Sequence, residues 1–300
     1  MAKLPSPVVR AMARGGLKHV AGAPVPLSWR RAYLEGIARR LPLPADVTVR
    51  RTSLDGIPSI RVQPRSGTSA LHVLHFHGGG FVAGSPRFSL SFAGHLALAC
   101  GCTVELPDYR KAPEHPYPAA PKDAWTAYRA LTESDIRPGR LVLAGDSAGA
   151  ALALSVALKV RDRELPPPPA VVLLSPWIDL DAPRPDDRLR AADPVLSARA
   201  TRRIARLYAS PEQRHGASPA RASLVGLPHL IVRCGERETL RPQVQEFVSR
   251  ARAAAVPVTY QVLPKAWHDI HIFAAVATEA HRAVEELAAT LIETTAATEP

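Results

Sequence analysis

Leu141-Val142-Leu143-Ala144-Gly145-Asp146-Ser147-Ala148-Gly149 decides how the chain is read. Four apolar residues form a short strand pattern, a serine follows between two glycines, and Leu152–Val160 then shows helical periodicity. A G-x-S-x-G turn between a strand and a helix is the setting of a nucleophile elbow. The strained turn needs glycine on either side, and it lifts the serine hydroxyl clear of the sheet edge. It also places the Ala148 N–H at a helix N-terminus, where it can stabilise an oxyanion. Five residues of this kind recur by chance, so the weight lies in the strand–turn–helix context.

The same alternation extends in both directions. Upstream, Val47–Thr52 and Ile60–Val62 alternate apolar with polar residues around Asp55-Gly56, which predicts a β-hairpin. Leu71–Phe76 predicts a strand, Ser89–Ala99 a helix and Cys102–Leu106 another strand. Downstream, Ala170–Leu174, Leu230–Cys234 and Val256–Leu263 read as strands, with helices over Val244–Ala254 and Ala274–Ile292. Strand and helix in alternation imply crossover connections and a mostly parallel sheet with helices on both faces. That burial on both sides explains why the strands are apolar runs rather than clean alternations.

Two regions break the rhythm. Residues 1–45 are basic and proline-punctuated, with short helical patterns near Val8–Val20 and Trp29–Leu41. Residues 181–215 are rich in charge and proline and interrupt an expected crossover, as a lid or surface excursion would. The expected organisation is an N-terminal cap segment over 1–45, a catalytic domain from 46–180 and 216–300, and a cap insertion over 181–215. Pro166–Pro169 reads as a stiff loop.

A second glycine cluster, His77-Gly78-Gly79-Gly80-Phe81, directly follows the strand Leu71–Phe76. Consecutive glycines let backbone N–H groups approach a ligand without Cβ obstruction. Acyl transfer needs such donors, because negative charge develops on the former carbonyl oxygen. A third segment, Asp108-Tyr109-Arg110-Lys111-Ala112-Pro113-Glu114-His115, follows the next strand. Together the three segments resemble the hormone-sensitive-lipase-like branch of the α/β-hydrolases, the bacterial esterases with HGGG and GDSAG motifs. Lys111 stands where that family usually has leucine. The resemblance covers residues 70–290 and implies the α/β-hydrolase fold, with a central, mostly parallel eight-stranded sheet flanked by helices and a helical cap. In the family the third segment is structural, so Glu114 and His115 receive no chemical role.

The resemblance also implies a base and an acid in the order Ser, acid, His. His268 follows the last strand and matches the family's histidine–x–aromatic signature, with Ile270 in the aromatic place. His271 is its rival and reads as the start of the terminal helix. Glu238 lies three residues after Gly235 and two before Leu240, where the family carries its acid. Glu236 is the neighbour to be distinguished from it, and Asp269 adjoins the histidine but is poorly placed to orient it. The expected oxyanion donors are Gly78, Gly79, Gly80 and Ala148, with Gly79 and Gly80 favoured over Gly78. Ser147 would attack an ester carbonyl, His268 would carry the proton to the leaving alcohol, and water would release the acyl group. This chemistry calls for no metal and no cofactor. His72, His75 and His77 make a poor metal site, because alternation turns His72 away from His75.

The implied function is hydrolysis of short- to medium-chain esters or lactones. An acyltransferase or peptidase with the same triad stays open, since the triad does not choose the acyl acceptor. A non-catalytic binder, like the plant gibberellin receptors that resemble this family, lacks the catalytic histidine that is present here as His268.

Composition adds exclusions. The chain has 300 residues, 38 Lys and Arg against 27 Asp and Glu, and a net charge of +11. The densest basic stretch, Arg188 to Arg206, contains Arg190, Arg199, Arg202 and Arg203 but no interleaved aromatics, so no nucleic-acid partner is expected. Cys100, Cys102 and Cys234 match no disulfide framework or zinc spacing and read as buried free thiols. Residues 1–20 hold no continuous apolar core of a secretory signal, and no run approaches the length of a membrane span. The expectation is a soluble, cytoplasmic protein with a small-molecule ester substrate and no stable membrane insertion. Pairing of two copies as a homodimer stays open.

Overall fold

The two residues joining the first strands, Asp55 and Gly56, both have positive φ (49° and 83°), the backbone of a tight hairpin turn. They connect β1 (Val47–Leu54) and β2 (Ile57–Pro64) in antiparallel register. In the computed structural model, residues 3–4, 8–9, 11, 26–134, 136–181 and 193–297 are described. The remaining strands are β3 (His72–Phe76), β4 (Thr103–Pro107), β5 (Leu141–Asp146), β6 (Val171–Leu174), β7 (Leu230–Gly235) and β8 (Val258–Leu263). All eight form one sheet in the order β1-β2-β4-β3-β5-β6-β7-β8. β2 runs antiparallel to β4, and β4, β3 and β5 through β8 are parallel to one another.

The helices are α1 (Leu27–Ala38), α2 (Leu90–Cys100), α3 (Ala119–Thr132), α4 (Ala148–Asp162), α5 (Ala198–Tyr208), α6 (Arg241–Ala253) and α7 (Thr278–Ala296). One face of the sheet packs on α2 and α7 through a cluster with Phe92, Leu96, Val284 and Leu287. The other face packs on α3, α4 and α6 through Tyr128, Leu152, Val156, Val244 and Phe247. The sheet is therefore mostly parallel and helix-covered, as the strand–helix rhythm implied, and the architecture is the α/β-hydrolase fold that the resemblance implied. Helix α3 had no counterpart in the pattern reading. Its buried face includes Ala120, Ala124 and Ala127, which give little hydropathy contrast. The terminal helix begins at Thr278 rather than Ala274, because Ile270–Phe273 forms a separate 3₁₀ turn.

Of the two irregular regions, residues 26–45, 181 and 193–215 are described, and α1 together with Val195, Leu196 and Ile204 lines one pocket that also holds Ser147 at the end of β5. The helical pattern near Val8–Val20 falls largely outside the described residues, as do Arg188 and Arg190. Cys100, Cys102 and Cys234 are buried and free. Among the described residues, no helix is long and apolar enough to cross a membrane.

Candidate active site

Ser147 caps the join between β5 and α4 with φ 52° and ψ −116°, a conformation that non-glycine residues rarely adopt. Close packing forces the two flanking glycines. A Cβ on Gly145 would strike the Gly149 carbonyl, and one on Gly149 would strike the Phe76 carbonyl of β3. Two backbone bonds hold the strained turn: the Ser147 N–H donates to the Leu174 carbonyl (2.9 Å), and the Trp177 N–H donates to the Ser147 carbonyl (3.0 Å). The hydroxyl is thus delivered at the end of a buried strand by backbone that cannot relax.

His268 reaches it from the loop after β8. Its Nε2 lies 2.9 Å from Ser147 Oγ, and its Nδ1 lies 3.3 Å from Glu238 Oε2. Glu238 follows β7 and is fully buried. Its other oxygen accepts from the Gly235 N–H and from Ser175 Oγ, the latter at 2.6 Å. The neighbour Glu236 accepts instead from the Lys265 N–H at 2.7 Å, on the surface. Ser147, His268 and Glu238 therefore form one hydrogen-bonded line, and Glu236 stands outside it.

The glycine loop is tied to the elbow by Asp146. The Gly78 N–H donates to Asp146 Oδ2 at 2.9 Å, and His75 Nε2 lies 2.9 Å from Asp146 Oδ1. The Gly78 N–H, one of the expected oxyanion donors, is thus committed to a carboxylate within the protein. Gly79 and Gly80 line the pocket beside Ser147, with φ of 116° and 66°. A Cβ at Gly79 would collide with the Ala83 carbonyl, so the loop's path requires glycine there. Ala148 begins α4 immediately after Ser147.

Two further histidines pack against aromatic rings. His77 is buried and stacks on Tyr109, 4.3 Å between ring centroids, and burial lowers its pKa to about 4. His271 is buried against the Phe92 ring, and burial likewise lowers its pKa to about 4. His72 is only half-buried at the start of β3, so the three histidines of this segment share no site. Asp146, Asp269 and His271 each bring a ligand atom within 4.8 Å of the others. Both Asp146 oxygens are occupied by His75 and Gly78, so the group reads as support beneath the serine. Glu114 forms a bidentate pair with Arg31 of α1, at 2.7 Å for both contacts, and lies away from Ser147.

Ser175 and Asp193 were not singled out from sequence, and Asp269 was set aside there only as a partner that could orient His268. Ser175, at the end of β6, donates to Glu238 and accepts from the Asp269 N–H at 3.1 Å. Asp193 is buried and accepts from the N–H groups of Val195, Leu196 and Thr239, joining the 193–196 segment to the Glu238 loop. Asp269 places Oδ2 3.3 Å from His268 Nε2, on the opposite side of the ring from Glu238. Polar residues at the carboxyl ends of parallel strands were the available signal for Ser175.

A matching model of the alpha/beta hydrolase fold family covers residues 73–272. An acetyl-hydrolase of Streptomyces hygroscopicus is 40% identical over 216 residues, 71% of this chain and 72% of its own. An esterase of Acinetobacter venetianus is 30% identical over 262 residues, 86% of each chain. A hormone-sensitive lipase from a metagenome library, solved by crystallography, superposes with a TM-score of 0.91 at 31% identity, covering 98% of this chain and 100% of its own. The chain belongs to the hormone-sensitive-lipase branch of the α/β-hydrolases.

In this α/β-hydrolase the pocket over Ser147 is mostly apolar. Leu27 and Leu34 come from α1, Val195, Leu196 and Ile204 from the 193–208 region, and Phe88, Ile272 and Phe273 from the sheet side. Arg30, Ser147, His268 and Asp269 supply its polar wall. Such a pocket suits an uncharged organic ligand whose one polar group meets the serine.

Proposed function

We propose that this α/β-hydrolase is a carboxylesterase that cleaves short- to medium-chain carboxylic esters, lactones included, through an acyl-enzyme on Ser147. The observation that carries the reading is the 2.9 Å contact between Ser147 Oγ and His268 Nε2 at the floor of an apolar pocket, with Glu238 behind the imidazole. The likeness to an acetyl-hydrolase and to an esterase supports ester cleavage over other acyl chemistry.

Ser147 Oγ attacks the ester carbonyl as its proton passes to His268 Nε2. Glu238 holds the ring through Nδ1 and stabilises the imidazolium. The N–H groups of Gly79, Gly80 and Ala148 receive the oxyanion. The C–O bond to the alcohol breaks as His268 returns the proton to that oxygen, leaving Ser147 acylated. Water, deprotonated by the same histidine, then attacks the acyl-enzyme and restores the serine. We also assign α1 and the 193–215 region to a cap over the catalytic domain, because both contribute apolar walls to the pocket.

The test is hydrolysis of a p-nitrophenyl ester series by the wild type and by Ser147→Ala. Loss of kcat by at least about 10³-fold is expected. Equal rates would overturn the reading, and a rate maximum at long acyl chains would overturn its substrate range.

A further inference from the structure

Helix α5 reads Ala-Arg-Ala-Thr-Arg-Arg-Ile-Ala-Arg-Leu-Tyr from Ala198 to Tyr208 and contains no acidic residue. Ala198, Ala200, Thr201, Ala205 and Tyr208 are buried, whereas Arg199, Arg202, Arg203 and Arg206 are exposed. Their i, i+3, i+4, i+7 spacing puts all four guanidinium groups on one face. Arg199, Arg202 and Arg206 pair with no carboxylate among the described residues. Like charges at this spacing weaken a helix, so the face is electrostatically unfavourable by itself.

A second exposed feature flanks the same opening. Helix α1 turns Leu27, Arg30 and Leu34 toward the pocket, and Ile204 of α5 lines it too. The outer side of α1 carries Trp29, 71% exposed, and Tyr33, 37% exposed. The helices are close neighbours across the mouth: burial lowers the proton affinity of Arg30, and the charge of Arg203 lowers it further. Exposed aromatics, a guanidinium row and an apolar pocket thus adjoin on the cap. Tryptophan and tyrosine favour the headgroup level of a bilayer, where one end of the ring is apolar and the other wet. Guanidinium groups suit lipid phosphates, which they bind in a planar, forked geometry.

We propose that this cap face docks the enzyme peripherally on an anionic phospholipid surface. Arg199, Arg202 and Arg206 contact the headgroup phosphates, Trp29 and Tyr33 seat among the headgroups, and the pocket mouth faces the lipid. The net charge of +11 provides long-range attraction to the same surface. A nucleic acid would share the phosphate chemistry. The position of the aromatics beside an apolar pocket favours lipid, because ester substrates partition into that phase.

The test is co-sedimentation of the full chain with vesicles of phosphatidylcholine alone and of phosphatidylcholine mixed with phosphatidylglycerol. Binding only to the anionic vesicles, weakening as salt is raised, is expected. Tryptophan emission should shift to the blue on binding, and Trp29→Phe should abolish the shift. The exposed triple variant R199Q/R202Q/R206Q should bind about 100-fold more weakly, at about fivefold per arginine. Its hydrolysis of a soluble p-nitrophenyl ester should be unchanged, since none of the three lines the pocket. Equal binding to both vesicle types, no binding to either, or wild-type binding by the triple variant would overturn the proposal. Arginine-dependent binding of duplex DNA without vesicle binding would reassign the face and overturn it as well.

Discussion

Asp269 Oδ2 stands 3.3 Å from His268 Nε2, the nitrogen that also faces Ser147 Oγ at 2.9 Å. A carboxyl group therefore borders the serine-facing side of the imidazole proposed as the base, in addition to Glu238 on its Nδ1 side. Burial alone would lower the His268 pKa. The Asp269 charge and the hydrogen bond and charge of Glu238 outweigh it and raise the value to about 10. Asp269 is itself raised, chiefly by burial, and its Oδ1 has no hydrogen-bond partner.

Only neutral imidazole accepts the serine proton, so a raised pKa moves the onset of activity toward alkaline pH. Asp269→Asn removes the charge that the carboxylate sets beside the protonated imidazole, and so lowers the His268 pKa. The acidic limb of kcat/KM should then shift to lower pH by about one pH unit or more. An unchanged pH profile would show that Asp269 exerts no charge on the base.

Ser175 bridges Glu238 Oε1 and the Asp269 backbone N–H. Ser175→Ala removes a bond to a buried carboxylate, of a kind worth about 1.5–3 kcal/mol. We expect kcat to fall by about 10- to 100-fold with KM little changed, since the side chain does not line the pocket. Steady-state kinetics on a p-nitrophenyl ester separates the two parameters.

The two candidate acids differ in setting rather than chemistry. Glu238 is buried against Ser175, Gly235 and His268, and Glu236 is exposed beside Lys265. Glu238→Gln should lower kcat by about 100-fold or more. Glu236→Gln should leave kcat near the wild type, and the reverse order would exchange their roles.

Gly149 permits α4 to approach β3 at the Phe76 carbonyl. Gly149→Ala sets a methyl group against backbone that cannot rotate away. A destabilisation of about 3 kcal/mol is expected, a drop in Tm of roughly 5–10 °C by calorimetry. A variant as stable as the wild type would mean that the helix start can shift.

The parts of the site that were legible in sequence depend on local sterics. Gly145 and Gly79 are glycines because a Cβ at each would meet backbone four residues further along the chain, and that demand recurs wherever a serine is presented from such a turn. The order of apolar strands and helices was legible for the same reason, since burial on two faces leaves a continuous apolar signature. Helix α3 escaped because its buried alanines cannot be told by residue type from the half-buried Ala119 and Ala130.

Sequence alone determined the α/β alternation, the glycine-flanked strand–turn–helix at Ser147 and the resemblance that singled out His268 and Glu238. Tertiary structure alone decided that Glu238 rather than Glu236 faces the imidazole, that the Gly78 N–H is held by Asp146, and that Asp269 and Ser175 complete the surroundings of His268. The physical reason is range. A turn's steric needs are set within a few residues, whereas a carboxylate's partner and charge depend on chain segments that meet only when the sheet has formed.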